Sequence, residues 1–156
     1  MKNLDIREVA GCSCLRLRRL TRRVTQVYDR LMKPAGLSVG QFGLLARLYG
    51  ARARREVVPI GTLAERMGMD PTTLNRSLKP LEHLGFIDNG VDPKDRRRRI
   101  VRITEGGITK LRQAVPLWRK AQRQIDVALG VDTSVALNDL LELCYERLAK
   151  TNAGGN

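Results

Sequence analysis

The sequence predicts a mainly α-helical protein with a small β-wing: a winged helix-turn-helix framed by long dimerisation helices. Three features carry that expectation. Two short apolar-striped segments, Ile60 to Met67 and Pro71 onward, are joined by a glycine turn. A basic run, Asp92 to Arg99, then lies between two short β-prone stretches. Finally, apolar seams with spacings of 3 and 4 occupy both ends of the chain.

Residues 1–11 are mixed and at most partly helical. From about Cys12 to Met32 a long helix is expected, because Cys14, Leu17, Leu20, Val24, Val27 and Leu31 recur at helical spacing. So narrow a seam suits packing along another helix. Arg16, Arg18, Arg19, Arg22 and Arg23 flank it, either as a solvated face or as the lining of a basic cleft. Pro34 and Gly36 break the helix. Ser38 and Gln41 form a capping box, with Leu37 and Phe42 placed for a hydrophobic staple. A helix therefore starts at Val39 and reaches about Tyr49 or a few residues further. Val57-Val58 is a candidate short strand for the wing sheet.

Ile60 to Met67 is the first helix of the central pair, stopped by Gly68. Asp70 caps the second, with Pro71 in its first position, where a missing N–H costs nothing. Leu74, Leu78, Leu81 and Leu84 make its apolar stripe. Thr72, Arg76, Lys79 and His83 fall opposite, with Asn75 at the flank. In a helix-turn-helix this second helix enters the major groove. Gly85 ends it, Phe86-Ile87-Asp88 reads as a strand, and Asn89-Gly90 as a turn signal. Ile100 to Ile103 is the returning strand, which puts Arg96, Arg97, Arg98 and Arg99 at the hairpin tip, suited to phosphates or a narrow minor groove.

Thr104 caps a helix from about Glu105 to Leu129, seamed by Ile108, Leu111, Val115, Trp118, Ile125 and Leu129, with Pro116 expected to kink it. Gly130 ends it. A last helix, about Thr133 to Thr151, carries Leu137, Leu141, Cys144 and Leu148. Leu17, Leu20, Val24, Leu111, Trp118, Leu141 and Leu148 hold more apolar stripe than one small domain can cover, so a homodimer is expected. The expected organisation is a single domain over residues 1–156. Residues 38–103 form the winged part, and residues 12–33 and 105–151 the dimerisation helices.

This order of parts resembles the MarR (multiple-antibiotic-resistance regulator) family of winged-helix transcription factors. The residues that carry it are Ile60, Leu63-Ala64 and Met67; Asp70-Pro71-Thr72-Thr73, Arg76, Leu78, Leu81 and Gly85-Phe86-Ile87; and Asp92, Asp95-Arg96-Arg97, Ile103-Thr104 and Gly107. The resemblance extends from about Cys12 to Lys150. It implies a homodimer with interleaved terminal helices. Such a dimer presents two recognition helices to a near-palindromic operator in double-stranded DNA. Thr72, Thr73, Asn75, Arg76 and Lys79 are the residues expected in the major groove. Asp95 is expected to hold the wing while Arg96 to Arg99 meet the backbone or minor groove. A repressor is expected more than an activator.

Composition agrees. With 29 basic and 16 acidic residues the net charge is +13, which points to a polyanion. From Gly90 to Arg102 six basic residues face two acids, whereas after Gly130 the balance turns acidic. No stretch approaches the roughly 18 apolar residues of a membrane span, and no signal-peptide core opens the chain. An odd count of three cysteines without framework spacing suits a reducing cytoplasm.

Other classes fit poorly. His83 is the only histidine and lies on the recognition helix, so a nucleophile–base pair has no base to use, and no phosphate-cradling glycine motif is present. Cys12-x-Cys14 lacks zinc-knuckle spacing. No enzyme activity, metal or cofactor is expected. A binder using charge alone is an alternative that competition by unrelated DNA would separate. The effector stays open between two readings. One is a small aromatic or carboxylate ligand in a basic cleft. The other is oxidation of Cys14, which begins the first helix where the organic-hydroperoxide-sensing branch of the family carries its reactive cysteine. A helix N-terminus with arginines nearby favours a thiolate. Against this, Cys14 continues an apolar seam, and Arg18 and Phe42 stand where that branch has tyrosines. Cys12 and Cys14 point to different sides of a helix, and Cys144 reads as packing.

Overall fold

The computed structural model describes residues 11–153, so the expectation for residues 1–10 lies outside the described residues. In order the elements are α1 (Ser13–Met32), a 3-10 turn (Lys33–Ala35), α2 (Val39–Ala53), α3 (Ile60–Met67), α4 (Pro71–His83), β1 (Ile87–Asp92), β2 (Asp95–Ile103), α5 (Glu105–Leu129) and α6 (Val131–Ala153). The described residues fall into two compact units, residues 28–119 and residues 11–27 with 120–153.

The unit of residues 28–119 holds the whole winged segment. Its core is Met32, Leu44, Leu45, Leu48, Leu63, Leu74, Leu78, Leu81, Ile100 and Val101, one apolar stripe from each of five elements. Helices α2, α4 and α5 begin where the sequence supplies a cap. Gln41 N–H donates to Ser38 Oγ (3.2 Å) while Ser38 N–H donates to Gln41 Oε1 (3.0 Å), and Asp29 Oδ1 accepts Val39 N–H at 2.8 Å. Thr104 Oγ1 takes Gly107 N–H at the start of α5. Gly68 ends α3 in the left-handed region at φ 60°, as a tight helix-turn-helix corner requires. At the end of α2 the same left-handed position is filled by Arg55, at φ 55°. The α2 end is tied down by the Arg52–Glu105 ion pair to the first turn of α5, and by Glu56, which accepts from Arg54 and Arg66. The Arg66 guanidinium, seconded by Arg54, holds the Glu56 carboxyl below the ordinary carboxylate range.

Three sequence expectations change here. Asn89-Gly90 is no turn: both residues lie inside β1, opposite Val101 and Ile100, and the hairpin reverses at Pro93-Lys94 between Asp92 and Asp95. Pairing Ile87 with Ile103 buries both, and that register outweighs a favourable local turn dipeptide. Proline, unable to donate to the ladder, goes to the turn. The arginine run consequently lies along β2, not at the tip. Val57-Val58 contributes no full strand, only the bridge Pro59 to Ile100 with Val101 N–H donating to Val58 C=O. Leu111 is 6% exposed within the single chain. Trp118 is half-buried, its ring stacked on Phe42 with centroids 5.8 Å apart. Helix α5 is continuous through Pro116.

In the other unit, Gly130 (φ 82°) makes the corner between α5 and α6. Asp126 Oδ1 fixes it, accepting from Ser134 Oγ (2.7 Å) and Gln122 Nε2 (3.0 Å). That corner starts α6 at Val131, two residues before the expected Thr133. The apolar side chains of this unit are largely uncovered: Leu17, Val127, Val135, Leu141 and Leu148 are all exposed, Val127 at 86% and Leu148 at 64%. Leu20 and Val24 are half-buried.

Candidate nucleic-acid interface

Helix α4 presents two chemically opposed faces. Leu74, Leu78 and Leu81 are buried, and Thr72, Asn75, Arg76 and Lys79 are exposed on the other side. Arg76 and Lys79 form no ion pair among the described residues, so their charges stay available to a partner. Thr73 is also engaged in the helix cap. Its N–H donates to Asp70 Oδ1 (2.9 Å) and its hydroxyl to Asp70 Oδ2 (2.5 Å), so its one side-chain proton is spent on the helix cap. The bonds from Thr73 hold the Asp70 carboxyl below its usual range. Pro80, inside α4, has no N–H to give the Arg76 carbonyl one turn earlier, so that acceptor stays unsatisfied by the helix.

The register sets Arg99 apart from the other wing arginines. Residues two apart on a strand share a face. Arg99, paired with Val91, therefore lies on the face of Val101 and of its cross-strand partner Asn89. Ile100 and Arg102 lie on the other face, and a Cβ placed on Gly90 would approach both, at 3.7 and 3.9 Å. Arg96, Arg97 and Arg98 fall where the register shifts between Val91 and Asp92, outside the regular ladder. All four arginines are exposed. Asp95 was expected to hold the wing, and its Oδ1 does accept Arg97 N–H at 3.0 Å. Asp92 carries more of that work. Only 7% exposed, it accepts Lys94 N–H (2.9 Å) across the turn and stands 3.9 Å from Arg98 Nη1.

Between α4 and the wing runs a groove of about 440 Å³ bordered by Asn75, Lys79, Asn89 and Arg99. Asn75, Lys79 and Arg99 were singled out in the sequence. Asn89 was read as a turn residue, and only the strand register places it here. The signal was available in the apolar pattern, since matching Ile87 to Ile103 forces Asn89 onto the inward face. Cys12, Cys14 and Cys144 are free thiols, and Cys14, the second residue of α1, is exposed. Among the described residues no group of three or more His, Cys, Asp or Glu could hold a metal ion, and no helix is long and apolar enough to cross a membrane.

Comparison with known proteins places this arrangement. The sequence profile of the MarR family matches residues 35–98, the stretch that contains the Ser38 and Asp70 caps, both helices of the turn and most of the wing. An uncharacterised HTH-type transcriptional regulator of Bacillus subtilis, YwaE, is 27% identical over 117 residues, 74% of this chain, and the match spans 65% of that protein's length. The transcriptional regulator MosR of M. tuberculosis, solved in complex with DNA, is 32% identical; the superposition covers 86% of this chain and 98% of MosR with a TM-score of 0.70. A point mutant of E. coli MarR, solved with operator DNA, shares the fold at a TM-score of 0.77 and 20% identity, over 91% of this chain and 99% of that one. With the winged helix-turn-helix and the family profile coinciding on the same residues, the chain belongs to the MarR family of transcriptional regulators.

Proposed function

We propose that this protein is a sequence-specific, double-stranded DNA-binding regulator that works in the cytoplasm as a homodimer on a near-palindromic operator. The observation that carries the reading is the polar face of α4. Thr72, Asn75, Arg76 and Lys79 are exposed together on a helix whose other face is buried, beside a wing bearing four exposed arginines. Helix side chains of this type read base edges, while arginines on a flanking hairpin meet phosphate or the minor groove. Asp92 and Asp95 set the wing. MosR and MarR have both been solved with DNA, which supports the same partner here. Catalysis is no part of the reading.

The regulator is proposed to repress and to be released by a small aromatic or carboxylate effector. A second reading rests on Cys14, whose exposed free thiol near the start of α1 is open to organic hydroperoxides. Binding by charge alone is the competing class, and Arg76→Ala separates it. If Arg76 contacts a base, its loss costs about 1–3 kcal/mol on a selected operator and much less on random duplex. Equal losses on both would reduce Arg76 to a positioning residue.

A further inference from the structure

Within the unit of residues 28–119, the end of α2, the segment that follows it and the last residues of β2 border a pocket of about 300 Å³. No residue of α4 lines it, so it is separate from the polar face of that helix. Its volume is at the small end for ligand sites, enough for a single ring and not for a large cofactor. Leu48, Ala51, Val58, Val101 and Ile103 line it as buried residues, and Val57 at its border is exposed although apolar.

The cation whose position is fixed is Arg52. Its Nη1 donates to the Ile103 carbonyl at 3.5 Å, and its Nη2 to Glu105 Oε1 on the first turn of α5. A guanidinium has more donors than these contacts use, in a geometry that suits a carboxylate. The Glu105 side chain is 77% exposed, so this is a weak surface pair in which another carboxylate can replace it. Arg55 also lines the pocket and forms no ion pair among the described residues. It stands in the left-handed region, at φ 55°, where a side chain is strained and glycine would not be. Glu56, the one acid in the lining, already accepts from Arg54 and Arg66, so its charge is compensated. An apolar lining with arginine and no free acid suits an apolar body that bears one negative charge.

We propose that this pocket is the seat of the effector, a small carboxylic acid with a single ring or an apolar body of that size, whose carboxylate takes Arg52 from Glu105. The inference rests on the reading of a regulator released by a small ligand, and gives that ligand a place and a competitor. The Arg52–Glu105 pair ties the end of α2 to the start of α5. Strand β2, which bears Arg96 to Arg99, ends at Ile103, whose carbonyl Arg52 also holds. Exchange of the Arg52 partner therefore loosens the base of the strand that carries the wing arginines, and DNA binding weakens.

The test uses the full-length protein and a duplex it selects from a random library. Benzoate, phenylacetate and cyclohexanecarboxylate are the probes, with benzamide as the neutral control. In proton–nitrogen correlation spectra at millimolar concentration, at least one acid should shift the Arg52, Val58 and Val101 amides saturably and release the duplex over the same range. Benzamide should bind about tenfold more weakly than benzoate. Arg52→Gln should weaken the acid about tenfold, whereas Glu105→Gln should strengthen it, because the competing carboxylate is gone. Both variants break the same ion pair, so damage to the fold cannot produce opposite effects. Glu142→Gln, an acid removed on α6, should leave binding unchanged. The proposal is overturned if no acid shifts these amides, if Arg52→Gln and Glu105→Gln alter binding alike, or if an acid fills the pocket while the duplex stays bound. Competition by inorganic phosphate beyond a chloride control of equal ionic strength would make this a site for free anions, and the proposal falls. Release of wild type and Arg52→Gln at the same concentrations would leave the effector reading standing without this seat. Absence of release by any acid would remove that reading with it.

Discussion

A Cβ on Gly107 would stand 2.1 Å from the carbonyl oxygen of Phe86 and 2.8 Å from Ile103 Cγ1. The first turn of α5 thus rests directly on the backbone between α4 and β1. Thr104 strengthens the same contact, its N–H donating to Phe86 C=O (3.1 Å) and its hydroxyl to Gly85 C=O (2.6 Å). Gly107→Ala should therefore destabilise the protein, because backbone cannot move aside as a flexible side chain would. Overpacking of this kind costs about 1–3 kcal/mol, which is about 2–12 °C in Tm at this chain length. Thermal melts check it; an unchanged Tm would mean that the base of the wing yields freely.

Asp70 gives the pH prediction. Its carboxyl is held below the ordinary value by the Thr73 hydroxyl and N–H, so the ionised form is the one the folded state favours. The contribution is present above the unfolded carboxylate pKa of about 3.9 and is lost as pH falls through the lower folded value. Asp70→Ala should lower Tm near neutral pH, and the gap to wild type should close below about pH 4. Asp70→Asn, which can still cap without charge, should lose less. A gap that persists at acid pH would show that the carboxylate is not what caps α4.

Assembly is tested by sedimentation. The exposed Leu17, Leu141 and Leu148 stripe predicts a species of about twice the 17.5 kDa chain mass at low micromolar concentration. Leu141→Asp or Leu148→Asp should shift it toward monomer. A folded wild-type monomer under those conditions would remove the homodimer, and with it the two-half-site operator.

Cys14 separates the two effector readings. Organic hydroperoxide should release the wild type from its selected duplex, while Cys14→Ser stays bound at the same dose. Cys12→Ser and Cys144→Ser should still respond, or respond irreversibly if one of them is the resolving thiol. Equal behaviour of wild type and Cys14→Ser leaves a small bound ligand as the effector.

The helices were legible because their ends are written in short-range chemistry. Ser38 with Gln41, Asp70 with Pro71, and Thr104 each mark a start within a few residues of the observed one, and Gly68 and Gly130 mark stops. The wing was less legible. Asn89-Gly90 is a strong hairpin dipeptide, and only pairing partners ten or more residues away in sequence overrule it. The same non-local register puts Arg99 on the face of Asn89 and Val101, so this candidate could be named from sequence but not placed. Thr73 shows the reverse limit: its polar side chain lies on the reading helix, yet the cap claims its proton. Leu111 and Leu141 have the same seam spacing and differ only in what covers them, which periodicity alone does not report.

The alternation along β2 also limits how the wing can change by descent. Inserting one uncharged residue between Arg99 and Ile100 would leave the net charge intact, yet turn Arg99 away from the face that it shares with Asn89 and Val101. Two residues inserted at the same point would restore the original facing. Lengths of this hairpin among descendants should therefore differ in steps of two, so that the wing has a frame of its own, as a gene has one of three.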